Sequence, residues 1–239
     1  MLLTLKTSLI RSMLGVVTGL GVSGVAAAQD AVPANPEPQA EAQPTEEPVE
    51  MPDTVYMLMK TNQGEIYLAL NHEKAPISVE NFVDYAEAET YNGTVFHRVI
   101  PTFMIQGGGF EPDGVKRETK AGIKNEWKNG LSNTRGSIAM ARLGNRPDSG
   151  TNQFFINVSD NAFLDQPRDG AGYAVFGEVV KGLDIVDKIK AVQTGTKETP
   201  NGGMGDWPIE NVVIEVVRQL TDEEVEKLVA ELEGAGSEG

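Results

Sequence analysis

Residues 96–110 place one guanidinium in surroundings otherwise made of apolar and amide side chains. Arg98 stands inside a strand-like run. Phe103, Met104 and Gln106 follow it within a few positions. Strand alternation predicts Phe96, Arg98 and Ile100 on one face and His97 and Val99 on the other. Later in the chain, Gln153, Phe154, Phe155, Phe163 and Leu164 add amide and apolar groups. Together these types offer a greasy pocket beside a fixed cation, with amides to orient what binds. They offer no nucleophile. The chain has no Cys and only two His, which excludes thiolate chemistry and Cys-based zinc sites and argues against a multi-His metal centre. No Ser-His-Asp arrangement is evident. Gly107-Gly108-Gly109 does not open a helix with dinucleotide-binding spacing, so it is not a nucleotide loop. No cofactor or metal is expected.

Strands and turns must carry these groups. Residues 55–59 and 65–70 flank Asn62-Gln63-Gly64 and read as a β-hairpin. Pro76 and Ser78 open a helix, with Ser78 expected as N-cap. Val79, Phe82, Val83 and Ala86 fall at helical spacing. Short strands are predicted over 95–99, 103–106, 137–141, 153–157, 174–180 and 212–217. A second helix is predicted over about 183–189. Many short strands, glycine-rich turns and few helices describe a barrel or a sandwich. His97 and His72 read as structural and surface residues respectively. Asn92-Gly93-Thr94 and Asn157-Val158-Ser159 match the glycosylation pattern, a weak signal at this length.

The charge sits at the ends. The formal net charge is −15 over 239 residues, yet residues 53–220 hold 22 acids against 17 bases. Such acidity disfavours nucleic acid as a partner. Residues 1–28 read as a secretory signal peptide. Lys6 and Arg11 precede an uncharged, mostly apolar stretch from Ser12 to Val25, and Ala26-Ala27-Ala28 offers a cleavage site. The alternative is an uncleaved membrane anchor, but that stretch is short for a membrane span and carries four glycines, so cleavage is expected and no stable membrane insertion after it. Residues 29–52 carry six acids, no Lys or Arg and recurrent prolines, the composition of an extended linker. Residues 221–239 form an acidic tail, part helical. Thr221 and Glu224 fit a capping box, and Val225, Leu228, Val229 and Leu232 make an apolar stripe.

Three segments carry a resemblance. The first is Phe96-His97-Arg98-Val99-Ile100-Pro101 with Phe103-Met104-Ile105-Gln106-Gly107-Gly108. The second is Gly136-Ser137-Ile138-Ala139-Met140-Ala141 with Ser149-Gly150-Thr151-Asn152-Gln153-Phe154-Phe155-Ile156. The third is Asn161-Ala162-Phe163-Leu164-Asp165 with Tyr173-Ala174-Val175-Phe176-Gly177. They resemble the cyclophilin peptidyl-prolyl cis-trans isomerases, in particular the periplasmic bacterial branch, over about residues 54–218. The resemblance implies a mostly β fold, an eight-stranded antiparallel β-barrel capped by two α-helices, with the substrate site on its outer face.

Further implications concern single residues. Arg98 matches the catalytic arginine. Phe103, Met104, Phe155 and Leu164 match the proline pocket. Gln106 and Gln153 match residues that orient the arginine and the peptide, and Ala141 with Arg142 matches a backbone stretch that binds the substrate chain. Phe163 and Tyr173 stand where many eukaryotic members have Trp and His, which implies weak cyclosporin binding. Leu143 is expected to narrow the neighbouring pocket. The implied partners are Xaa-Pro segments of unfolded or flexible polypeptides, met in the periplasm by a monomer that helps exported proteins fold. Two alternatives are a proline-peptide binding module with incidental turnover and a carrier barrel with a hollow interior.

Overall fold

The computed structural model describes residues 51–166, 169–200 and 202–236. The predicted signal peptide and nearly all of the predicted linker lie outside them.

The predicted hairpin is present. β1 (Thr54–Thr61) and β2 (Gly64–Asn71) pair in register from Thr54 opposite Asn71 to Thr61 opposite Gly64. Asn62 and Gln63 make the two-residue turn, and the Thr61 hydroxyl donates to the Gly64 carbonyl at 2.8 Å. α1 (Pro76–Glu87) follows, with Pro76 in its first turn and Val79, Phe82, Val83 and Ala86 buried on the predicted face. Ser78 is not its N-cap. Ala75 holds that position and has no capping side chain. The carboxylate of Glu126, 48 residues away, accepts from the backbone N–H of Ile77 and Ser78 and from the Ser78 hydroxyl. The orphan amides of the first turn are thus satisfied by an acid from a distant loop, an arrangement favoured by the helix dipole.

The remaining elements are β3 (Arg98–Ile100), β4 (Met104–Gly107), β5 (Ser137–Met140), β6 (Phe154–Asn157), β7 (Val175–Lys181), α2 (Leu183–Lys190), β8 (Thr194–Thr199), β9 (Gly202–Pro208), β10 (Ile214–Gln219) and α3 (Asp222–Gly236). An eight-stranded sheet runs in the order β10-β1-β2-β7-β5-β6-β4-β3, antiparallel throughout. Its two edges meet just ahead of β3 and β10. Val95 bridges Val213, the Phe96 amide donates to the Val212 carbonyl at 3.0 Å, and the Ile214 amide to the Thr94 carbonyl at 2.8 Å. The sheet thus curls into a barrel.

Its interior is filled. Phe82 from α1 lies against Tyr91, Phe154 and Phe176 with ring centroids 4.9–5.4 Å apart, and Met57, Met59, Ile66, Leu68, Ile105 and Ile214 pack around them. Close-packed side chains leave no room for a carried ligand.

Two sequence expectations change here. Phe96 is not on the face of Arg98. It is buried in the interior with Val99, because residues 96 and 97 precede β3 and their backbone is spent on closing the barrel, so strand alternation does not run through them. The helix expected in the acidic C-terminal tail is present as α3. Thr221 and Glu224 form the predicted capping box, Glu224 pairs with Arg218, and Leu228 packs with Leu58 and Leu220 on the outside of the sheet. β8 and β9 form a separate two-stranded ribbon that the strand pattern did not predict.

Candidate active site

Strands β3 to β6 present opposite faces to two different environments. In β4, Ile105 points to the interior, while Met104 and Gln106 do not. In β6, Phe154 and Ile156 are interior and Phe155 is not. In β5, Ile138 and Met140 are interior and Ala139 is not. Period-two alternation therefore builds a second apolar cluster on the outer face from Met104, Ala139, Phe155, Leu164 and Val175, with Phe103, Ala141 and Tyr173 at its margin. The register lines up a row across it. Arg98 is opposite Gln106, Gln106 opposite Phe155 and Phe155 opposite Ala139. Neighbouring strands lie about 4.8 Å apart, so two strand spacings, about 10 Å, separate the backbones at Arg98 and Phe155.

The sequence therefore selected residues that the fold brings together. Met104, Phe155 and Leu164 are buried in the floor, while Phe103 is half-buried. Phe163 is 44% exposed and stacks on Phe103 with centroids 5.5 Å apart, making an outer wall. Tyr173 meets Phe155 edge-on at 5.7 Å, which places it as a pocket wall. The Gln106 amide donates to the Gln153 side-chain oxygen at 2.9 Å, so the two glutamines form one rigid polar edge. Gly109 leaves room for that edge. A Cβ there would lie 2.5 Å from the Gln153 side chain. The Ala141 amide donates to the Gln153 carbonyl at 3.0 Å and fixes the strand margin beside it.

Arg142 takes a structural position. Its side chain is 2% exposed, pairs with Asp169, donates to the Gly172 and Ala171 carbonyls, and lies 4.5 Å from the Tyr173 ring centre. Its guanidinium thus holds the 169–173 loop and orients the tyrosine wall. The hydrogen bond from Arg142 holds the Asp169 carboxyl below the usual carboxylate range. Gln106 and Gln153 also line a cavity of about 310 Å³, with Lys116, Arg146 and Asp148 among its other walls and Leu143 exposed on it.

A buried amide network braces the pocket, and the sequence pattern did not single it out. Asn157 donates to Asn133 and Ser137. Asn161 donates to Asn157 at 2.7 Å and to the Phe103 carbonyl at 2.8 Å. Asn133 donates to Asp165 at 2.7 Å and to the Tyr173 carbonyl at 3.2 Å. One chain of hydrogen bonds therefore ties together the loops that carry Phe103, Leu164 and Tyr173. Asn157 is fully buried, which removes its glycosylation pattern from consideration.

Arg98 rises at the rim. Its side chain is 41% exposed, and its Nε lies 3.6 Å from a carboxylate oxygen of Asp206 in β9. His97, next to it, is buried against Phe110 and Trp207. Burial pushes the imidazole down to about 4, and the Arg98 charge adds to this. Histidine therefore offers no proton chemistry here near neutral pH.

The sequence matches known proteins. Residues 56–219 match the profile of the cyclophilin type peptidyl-prolyl cis-trans isomerase/CLD family. A peptidyl-prolyl cis-trans isomerase of Acinetobacter baylyi is 62% identical over 138 residues, 58% of this chain and 73% of that protein. Peptidyl-prolyl cis-trans isomerase B of Escherichia coli is 54% identical over 160 residues, 66% of this chain and 94% of that protein.

The chain belongs to the cyclophilin-type peptidyl-prolyl cis-trans isomerases.

The fold of this isomerase is likewise shared with a solved cyclophilin of Cryptosporidium parvum crystallised in the presence of the dipeptide Ala-Pro. That likeness has a TM-score of 0.58 at 23% identity and covers 70% of this chain and 99% of that one.

Proposed function

We propose that this isomerase acts on Xaa-Pro bonds through Arg98 without covalent chemistry. A prolyl amide is planar because nitrogen shares its lone pair with the carbonyl, and rotation meets a barrier of about 18–20 kcal/mol. In the twisted transition state the lone pair returns to nitrogen. A guanidinium donor aimed at that nitrogen binds the twisted amide more strongly than the planar one, and only such a difference accelerates the reaction. Arginine suits this role because it stays charged and its planar fork can be held in place. Met104, Phe155 and Leu164 would grip the proline ring while the remainder of the chain turns. The Gln106–Gln153 edge and the Ala141 margin would align the peptide in the manner of an added strand.

The observation that carries this reading is the cross-strand row from Arg98 to Phe155, which sets the cation at the rim of an apolar cleft on the outer face. The test is NMR exchange on an Xaa-Pro peptide. Arg98→Ala is expected to lower kcat/KM about 10²-fold, or ~3 kcal/mol at ~1.4 kcal/mol per decade, with the fold intact. A rate equal to wild type would remove Arg98 from the mechanism.

We further propose export to the periplasm, where the substrates are Xaa-Pro segments of proteins that are folding there. The support is the charged, apolar and small-residue succession of residues 1–28. The expected result is a mature chain beginning at Gln29, read by mass spectrometry. A mature chain that retains Met1 would contradict it.

A further inference from the structure

The ribbon β8–β9 brings a carboxylate to the catalytic rim by a local irregularity. Gly195 pairs with Trp207 and Lys197 with Met204, so Thr196 of β8 faces both Gly205 and Asp206 of β9. That is a β-bulge, which turns a side chain away from the course of its strand and is frequent beside active sites. Asp206 pays for it with a left-handed backbone, φ 59°, which aspartate tolerates better than most residues. The next residue anchors the bulge. Trp207 is 2% exposed, lies against His97 and Phe110, and donates its indole N–H to Asn211 at 2.9 Å. Two successive residues of β9 thus meet two successive residues of the catalytic segment, Trp207 with buried His97 and Asp206 with Arg98.

We propose that Asp206 is a positioning residue for isomerisation. Its carboxylate restrains Arg98 at Nε and leaves the two terminal nitrogens of the guanidinium to face the prolyl amide. The inference rests on the reading of Arg98 given above. A free arginine at a half-exposed rim samples many rotamers, and a donor that must be aimed loses rate for each population that points elsewhere. The ion pair is half-exposed on both sides, 41% and 49%, so its effect is modest and sensitive to salt.

The experiment compares Asp206→Asn and Asp206→Gly in the full chain. Both residues accept positive φ, so the bulge persists while the charge is lost. At low salt each variant is expected to lose about 2- to 5-fold in kcat with KM unchanged and no fall in thermal midpoint. The gap to wild type should narrow at about 1 M salt, where the screening length is about 3 Å. The Arg98 Nε–Hε NMR signal should shift, and Asp206→Asn should add nothing in an Arg98→Ala background. Wild-type kcat in both variants, a loss confined to KM, or an undiminished loss in the Arg98→Ala background would overturn the proposal. Should Arg98→Ala alone keep its wild-type rate, the assignment of the arginine fails with it. Should Arg98→Ala be inactive and both Asp206 variants unimpaired, only the role of the carboxylate fails.

Discussion

Strands β4, β5 and β6 have two faces that share a backbone but little else. The inner face carries Ile105, Ile138, Phe154 and Ile156, each fully buried and packed on the aromatic centre. The outer face carries Met104, Gln106, Ala139 and Phe155, a shallow apolar floor with an amide edge and Arg98 at its rim. The inner face has no polar group to satisfy and serves cohesion. The outer face keeps a cation half in water and two glutamines tied to each other, a costly arrangement for cohesion but a useful one for a polar transition state. Alternation by one residue is enough to place stability and chemistry on the same strand.

The difference can be broken first from the inside. Phe154 meets Phe82, Tyr91 and Phe96 with ring centroids 5.4–6.0 Å away. Phe154→Ala is expected to cost about 3–5 kcal/mol in urea unfolding, a large share of a typical domain's stability. A cost below about 1 kcal/mol would mean the interior is not packed as described.

A second effect sharpens the contrast at the boundary. His97 belongs to neither face. It is held by Phe110 and Trp207, and its folded pKa of about 4 lies below the ordinary 6.5. The unfolded chain therefore binds the proton more readily. His97 contributes its full stability above pH 6.5, and that contribution falls as pH drops from 6.5 towards 4, by on the order of 3 kcal/mol. Unfolding measured across this range should show the slope, and His97→Phe should flatten it. A slope unchanged in the variant would assign it to other groups.

Much of the fold was legible because it rests on local period. The β1–β2 hairpin, the buried face of α1 and the α3 capping box are all written in spacing. Other features depend on distant partners. The acid that satisfies the start of α1 comes from Glu126, so Ser78 misled as a cap. Phe96 turned inward because barrel closure overrides alternation just before β3. The β8–β9 ribbon, with sequences TGTKET and GGMGDWP, has no apolar alternation to reveal it and is held chiefly by Trp207.

The candidate site divides in the same way. Residue types alone indicated a cation beside an apolar pocket, and the family resemblance was needed to choose Arg98, Phe103, Met104 and Phe155 together. The bracing network of Asn133, Asn157 and Asn161 was hidden because asparagine near a strand end reads as turn chemistry. Asp206 was hidden because its approach to Arg98 depends on a bulge in an unrecognised ribbon.

The central claim is that Arg98, on the outer face, lowers the barrier without holding the fold. Arg98→Ala and Phe154→Ala measured side by side, each for kcat/KM on one Xaa-Pro peptide and for unfolding free energy, test it most directly. The expected result is a crossed pattern, with Arg98→Ala losing about 10²-fold in rate at unchanged stability and Phe154→Ala losing about 3–5 kcal/mol of stability. Arg98→Ala at the wild-type rate, or slowed only as far as it is unfolded, would contradict the account.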